Sequence, residues 1–192
     1  INNLASYYHK VHESKNAVHY AELSLRIQPN NPLALIQYAK ALTINNELEK
    51  AIDLLKKLNE NFPDNDDIKY DLSTAYREMG EFKKANKLST DVFKKDYKNT
   101  SYLLGYIKDK ENKLNEKHIN FYNEKLESED LNLEDKILIN YSFFEYFRNQ
   151  NDYQKAGTHL IKSNDAQYAH KEFDIKSEKK FYEKVKLIFS NK

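Results

Sequence analysis

The chain has no cysteine, and only three glycines, three prolines and three arginines among 192 residues. Without cysteine there is no disulfide scaffold, no thiolate metal site and no cysteine nucleophile. A reducing compartment is compatible with that, and a cytoplasmic location is expected. Three scattered glycines cannot build a phosphate-cradling loop. So few glycines and prolines cannot punctuate a many-turned β protein either, which leaves helices favoured. With only Arg26, Arg77 and Arg148 present, planar bidentate recognition of phosphate or carboxylate is not a general strategy here. Charge of one sign is also lacking: Lys+Arg 31 against Asp+Glu 30 leaves +1, so no bulk field argues for nucleic acid or membrane as a partner. No apolar run is long enough to cross a bilayer or to serve as a signal peptide. The chain begins with Ile1 inside what reads as a repeat, so a cut or processing boundary is expected there.

What is present is a period. Ala17, Ala51 and Ala85 are spaced 34 residues apart. The same step relates Pro29 and Pro63, with Tyr97 in the third place; it also relates Tyr8, Leu42 and Tyr76, and Leu4, Tyr38 and Leu72. Four residue classes in phase at one period near 34 mark a stack of helix-turn-helix repeats. Hydrophobic residues at 40% and charged residues at 32% allow the thin core of a stack whose units touch only their neighbours.

The expected fold is all-α: a right-handed superhelical solenoid of about five antiparallel helix pairs plus a C-terminal capping or linker helix. The pairs are read as 3–12 with 15–27, 32–44 with 47–60, 67–79 with 81–94, 102–110 with 116–126, and 133–149 with 153–162. A last helix is read over 176–190. Pro32 fits a first helical turn, Pro29 and Pro63 sit just past helix ends, and Gly80 suits a left-handed turn residue. The in-phase alanines open the second helix of each pair at its closest crossing with the first. The fourth pair is weaker, with Ile119 in the alanine place, and Ala156 restores the pattern after about three added residues. Asn132 reads as an N-cap, with Glu134 and Asp135 in the first turn. By repeat phase the chain divides into 1–128, the repeats, and 129–192, the last pair and linker helix, continuous with the same solenoid.

The pattern Leu35-x-x-Tyr38-Ala39-x-x-Leu42, Ala51-x-x-x-Leu55-x-x-Leu58, Pro63, followed by Leu72, Tyr76, Gly80, Phe82, Ala85 and Val92, resembles tetratricopeptide repeats. The large aromatic usual near the start of the first helix is replaced by Leu35 and Lys69. A narrower resemblance covers the stretch from Lys136 to Phe147, then Asn151-Asp152-Tyr153 to Ala156, Ser163-Asn164, Glu172-Phe173-Asp174, and Phe181 to Ile188-Phe189. It is similar to the linker of bacterial tetratricopeptide proteins fused to a sulfotransferase domain, with Ser163 in place of a Gly and Phe173 in place of a Tyr. That resemblance implies a catalytic domain after Phe189, using 3′-phosphoadenylyl sulfate through a Pro-Arg-Ser-Gly-Thr-type turn. None of that turn is in this chain, which holds no catalytic residue and needs no cofactor of its own.

The search for chemistry therefore ends at surfaces. His9 and His12 share a helix face near Glu13 and His19, yet solvated or packed histidines explain them without a metal. Glu127 to Asp130 and Asp64 to Asp67 lack the ligand order and central Gly of a calcium loop. The lysines of 176–186 alternate with Glu178 and Glu183, a solvated face. The aromatic run from Tyr141 to Phe147 reads as core. The inner face of the solenoid is the candidate binding surface, with Ile36, Gln37, Lys40, Tyr70, Thr74, Arg77, Leu104 and Lys108 facing it; the alternative is a merely solvated face. Its mixture of apolar, aromatic and cationic groups suits a protein or peptide segment. The terminal-carboxylate clamp of chaperone-type repeats is disfavoured, because its places hold Asn2, Ser6, Gln37, Asp67 and Asp71. Two functions follow: a binding module, either a stand-alone adaptor or one serving a downstream catalytic domain in cis by presenting substrate or forming a homodimer.

Overall fold

Among the described residues, asparagine starts the first helix of each repeat. In the computed structural model, which describes residues 13–169, the Asn31 side chain accepts from the backbone N–H groups of Leu33 at 2.9 Å and Ala34 at 3.3 Å. Asn65 accepts from Asp67 and Ile68, and Asn99 from Ser101. Each bond satisfies a donor that the helix itself leaves unpaired. These three caps are 34 residues apart. Helices α1 (Ser14–Ile27), α2 (Pro32–Ile44), α3 (Leu48–Asn61), α4 (Asp66–Glu78) and α5 (Phe82–Lys95) follow in order. Then come α6 (Thr100–Ile107), α7 (Glu116–Glu127), α8 (Leu133–Asn149) and α9, helical over 153–169. No strand occurs among the described residues. The expected helices over 3–12 and 176–190 lie outside them.

The turn inside a repeat is set by one left-handed residue. Asn46 (φ 62°), Gly80 (φ 84°) and Asn151 (φ 61°) occupy it. Each turn is closed by the same long backbone bond: Glu47 N–H to Leu42 C=O at 2.9 Å, Glu81 to Tyr76 at 2.8 Å, and Asp152 to Phe147 at 2.9 Å. This is the six-to-one bond of a helix ending in a left-handed residue. Glycine adopts that conformation freely, and asparagine is among the few other residues that do so readily.

By compactness the chain divides into two units, Ile1–Tyr97 and Lys98–Lys192, a different property from the division by repeat phase at 128. In the first unit each helix packs on the next in sequence, and α2 also touches α4. Ala17, Ala51 and Ala85 are wholly buried, as their steric role requires. Between them Ile52, Leu55, Leu58, Ile68 and Leu72 form an aliphatic core.

The second unit departs from the expected pairing. Leu114 stands where the phase calls for a left-handed residue, and its φ is not positive; a leucine there is strained. Helix α6 stops at Ile107, and 108–115 form a longer connection. Helices α6 and α7 consequently do not approach each other closely through their backbones; α6 lies against α8. Side chains hold α7 to the start of α6: Tyr122 Oη donates to Asn99 C=O at 3.3 Å, and Lys125 Nζ to Thr100 Oγ1 at 2.6 Å. Ile119, in the alanine place, is only half-buried. The core here is aromatic, with Tyr122 and Phe143 edge to face at 6.3 Å and both buried. Tyr141 of the aromatic run is exposed, whereas Phe143 and Tyr146 are core. Helix α9 extends past the expected end at 162.

Candidate functional site

The first helices of the second and third repeats, α2 and α4, lie side by side. Burial of Ala34, Ala39, Ala41 and Leu42 on one, and of Ile68, Leu72, Ser73 and Ala75 on the other, turns their remaining faces the same way. Ile36, Gln37, Lys40, Tyr70, Thr74 and Arg77 are half-buried on those two helices. Leu104 and Lys108, half-buried and exposed, belong to the second unit. Six of the eight candidate residues therefore share one pair of helices.

A charge contact links the two helices. Lys40 Nζ lies 3.3 Å from Asp71 Oδ2, whose side chain is 13% exposed. Lys40 is the group that offsets the burial of this carboxylate. Burial pushes the Asp71 carboxyl up to about 6, against the opposing pull of Lys40. Burial likewise pushes the neighbouring Tyr70 hydroxyl up to about 12, with Asp71 adding and Arg77 opposing. Tyr70 is thus a neutral phenol over the working range. Its backbone carbonyl takes bonds from Ser73 Oγ at 2.8 Å and Thr74 Oγ1 at 3.2 Å. Arg77 donates to Asn86 Oδ1 at 2.8 Å, tying α4 to α5. Of the carboxylate-clamp positions, Asp71 is offset by Lys40, while Asp67 sits in the acidic first turn of α4. Asn2 and Ser6 lie outside the described residues, as do His9, His12 and everything from Glu172 to Phe189.

Asp71 entered the sequence reading only as an obstacle to carboxylates; its pairing with Lys40 was not legible, because no local spacing links residues 31 apart. The Asn31, Asn65 and Asn99 caps share the 34-residue period, as do the left-handed Asn46 and Gly80, whereas Asn151 falls three residues out of that phase. Among the described residues no group of three or more His, Asp and Glu side chains is placed to hold a metal ion.

The second unit carries a cavity of about 580 Å³ between α7, α8 and α9. Behind it Asn140, 1% exposed, donates from Nδ2 to Lys136 C=O at 2.9 Å and faces His159 Nδ1 with Oδ1 at 2.9 Å. The first bond fixes the amide's orientation, so Oδ1 is the acceptor and His159 carries its proton on Nδ1. The imidazole stacks on Phe147 at 5.6 Å and meets Phe143 edge to face at 5.0 Å. Burial, and then the charge of Lys162, holds the His159 pKa below its ordinary value.

Residues 44–104 match the tetratricopeptide repeat family model. No curated protein sequence matches the chain. A solved structure of MamA AMB-1 is similar in fold, with a TM-score of 0.51 at 13% identity over 88% of this chain and 98% of that one. The MamA RS-1 ArsTM double mutant gives 0.49 at 13% identity over 88% and 93%. Among the described residues no helix is long and apolar enough to cross a membrane. Over residues 44–104 the helix pairs of period 34, the left-handed turns at Asn46 and Gly80 and the family match agree, and this part of the chain consists of tetratricopeptide repeats.

Proposed function

We propose that the chain is a protein-interaction scaffold that holds a peptide or protein segment on the joint face of α2 and α4. The observation that carries this is the side-by-side placement of the two helices with Gln37, Lys40, Tyr70, Thr74 and Arg77 half-buried on them. Such a face offers apolar area, amide and hydroxyl hydrogen bonding, and a cation and an anion already neutralising each other. That combination favours a mixed, largely uncharged segment over a terminal carboxylate. Peptides selected from a displayed random library against the whole chain provide the test. The double substitution Gln37→Ala and Arg77→Ala should weaken the selected peptides at least about tenfold, the loss of one or two hydrogen bonds, whereas Asn86→Ala, which cuts the Arg77 tie between α4 and α5, should lower Tm without that loss of affinity. Tyr70→Ala should weaken them further. Unchanged affinity for every selected peptide would remove this face from consideration.

A narrower reading places these repeats N-terminal to a sulfotransferase domain that uses 3′-phosphoadenylyl sulfate. Its support is the resemblance over 136–189, of which 136–169 is described and forms α8 and α9. The departure at Ser163 is accommodated there: the residue is buried and its Oγ donates to Ile137 C=O at 3.2 Å. The coding sequence beyond Lys192 decides it. A strand followed by a Ser/Thr-rich phosphate turn would support the reading, and a stop codon would leave a stand-alone adaptor.

A further inference from the structure

The cavity of the second unit shares no residue with the α2 and α4 face and has its own chemistry. Its walls include Leu126, Leu133, Ala166 and Ala169, and its mouth carries both signs of charge in Glu127, Lys136 and Asp165. About 580 Å³ is within the range of sites that enclose a ligand group, and larger than one aromatic ring needs. His159 lines it. Asn140 engages Nδ1, so Nε2 is the one polar atom of that ring without a partner among the described residues. With the proton on Nδ1, Nε2 of the neutral ring is an acceptor, and burial together with Lys162 favours that neutral form. Lys162 stands one helical turn beyond His159 and also lines the cavity. A group bound between them must donate to Nε2 and accept from an ammonium. A hydroxyl does both, whereas a carboxylate cannot donate and an ammonium cannot accept.

We propose that this cavity receives a tyrosyl side chain of a partner peptide, the phenol hydroxyl donating to His159 Nε2 and accepting from Lys162 Nζ. The ring occupies the space left by the small side chains of Ala166 and Ala169 against Leu126 and Leu133. The mixed charges at the mouth meet a peptide backbone and its neighbouring side chains, which a free phenol would leave unused. Acid weakens the complex, because protonating His159 turns Nε2 from acceptor to donor. The other titratable and charged groups lining the cavity are Glu127, Lys136, Lys162 and Asp165.

The test is an NMR titration of the full chain with N-acetyl-tyrosinamide, N-acetyl-phenylalaninamide and p-cresol, following the His159 ring nitrogens and the Ala166 and Ala169 methyls. The tyrosine amide should move all of these signals. The phenylalanine amide should bind at least about tenfold more weakly, the worth of one buried hydrogen bond, and p-cresol should bind more weakly than the tyrosine amide. Ala169→Phe, which fills the cavity from its rim and leaves the Asn140–His159 pair in place, should abolish the shifts. Several results would overturn the proposal: equal binding of the two amides, equal or tighter binding of p-cresol, no shift at millimolar ligand, or shifts that survive Ala169→Phe. An intrachain NOE from Phe173 or Tyr182 to the Ala166 methyl would assign the cavity to this chain and overturn it too.

Discussion

The two units solve one packing problem differently. In the first, a left-handed residue turns the chain between helices and a buried alanine lets them cross closely, so an aliphatic core suffices. In the second, Leu114 and Ile119 stand at those two positions of the fourth repeat. The helices there do not close on each other; side-chain-to-backbone bonds instead pin the 108–115 connection to α6, from Tyr106 Oη to Lys113 C=O at 3.2 Å and Asn112 Nδ2 to Tyr106 C=O at 2.8 Å, and α8 to the end of α6, from Asn149 Nδ2 to Ile107 C=O at 3.3 Å. A repeat that loses its small residue and its turn residue thus keeps its helices but changes partners.

The largest effect should come from the aromatic core. Phe143→Ala is expected to cost about 3–5 kcal/mol, as for other buried aromatic truncations, read as the loss of urea resistance and of amide protection in α6 and α8. A cost under 1 kcal/mol would mean that the rings fill space without bracing the unit. Next is a direct exchange of the two solutions. Ala85→Ile should destabilise by about 1–3 kcal/mol through overpacking, while Ile119→Ala should cost less than about 1 kcal/mol because that position is half-exposed. Equal costs in denaturant titrations would erase the distinction between the units.

A smaller effect concerns pH, where the units should respond with opposite sign. Asp71 titrates near 6 in the fold against an ordinary 3.8, so its contribution to stability is full below about 4 and is lost as pH rises through 6. His159 and His118 have their pKa values lowered, each first by burial and then by a neighbouring lysine. Their contribution is full above 6.5 and is lost as pH falls. Residue-resolved hydrogen exchange should therefore show α2 and α4 gaining protection between pH 6.5 and 5 while α8 and α9 lose it. Asp71→Asn should raise stability at pH 7 by about 1–3 kcal/mol and converge with the parent below pH 4; parallel pH slopes in the two units would contradict this account. The smallest effect is at the caps, where Asn65→Ala should cost about 1 kcal/mol, measured as a drop in Tm.

The parts of this fold legible in the sequence were those that depend on size and repeat at a fixed step. Ala17, Ala51 and Ala85 announced the helix crossings, and Gly80 announced its turn. Asn46 and Asn151 perform the turn of Gly80 with a side chain that also serves in caps and on surfaces, so composition alone did not single them out. Ile119 marked a weaker repeat, but not the move of α6 onto α8, because that depends on what Leu114 cannot do with its backbone. The helices α2 and α4 themselves follow from the repeat pattern, whereas the Lys40–Asp71 contact between them required three dimensions.

The order of packing has a consequence for how the chain is made. In the first unit nearly every contact joins helices adjacent in sequence, so each pair can form as it leaves the ribosome, with little loop closure to wait for. The contact of α6 with α8 instead spans all of α7, and its closure entropy comes due before any of its packing is gained. The second unit should therefore complete its structure later and more slowly. In stopped-flow refolding followed by pulsed exchange, α6 should be the last described helix protected; early protection of α6 would show that its contact with α8 nucleates the unit.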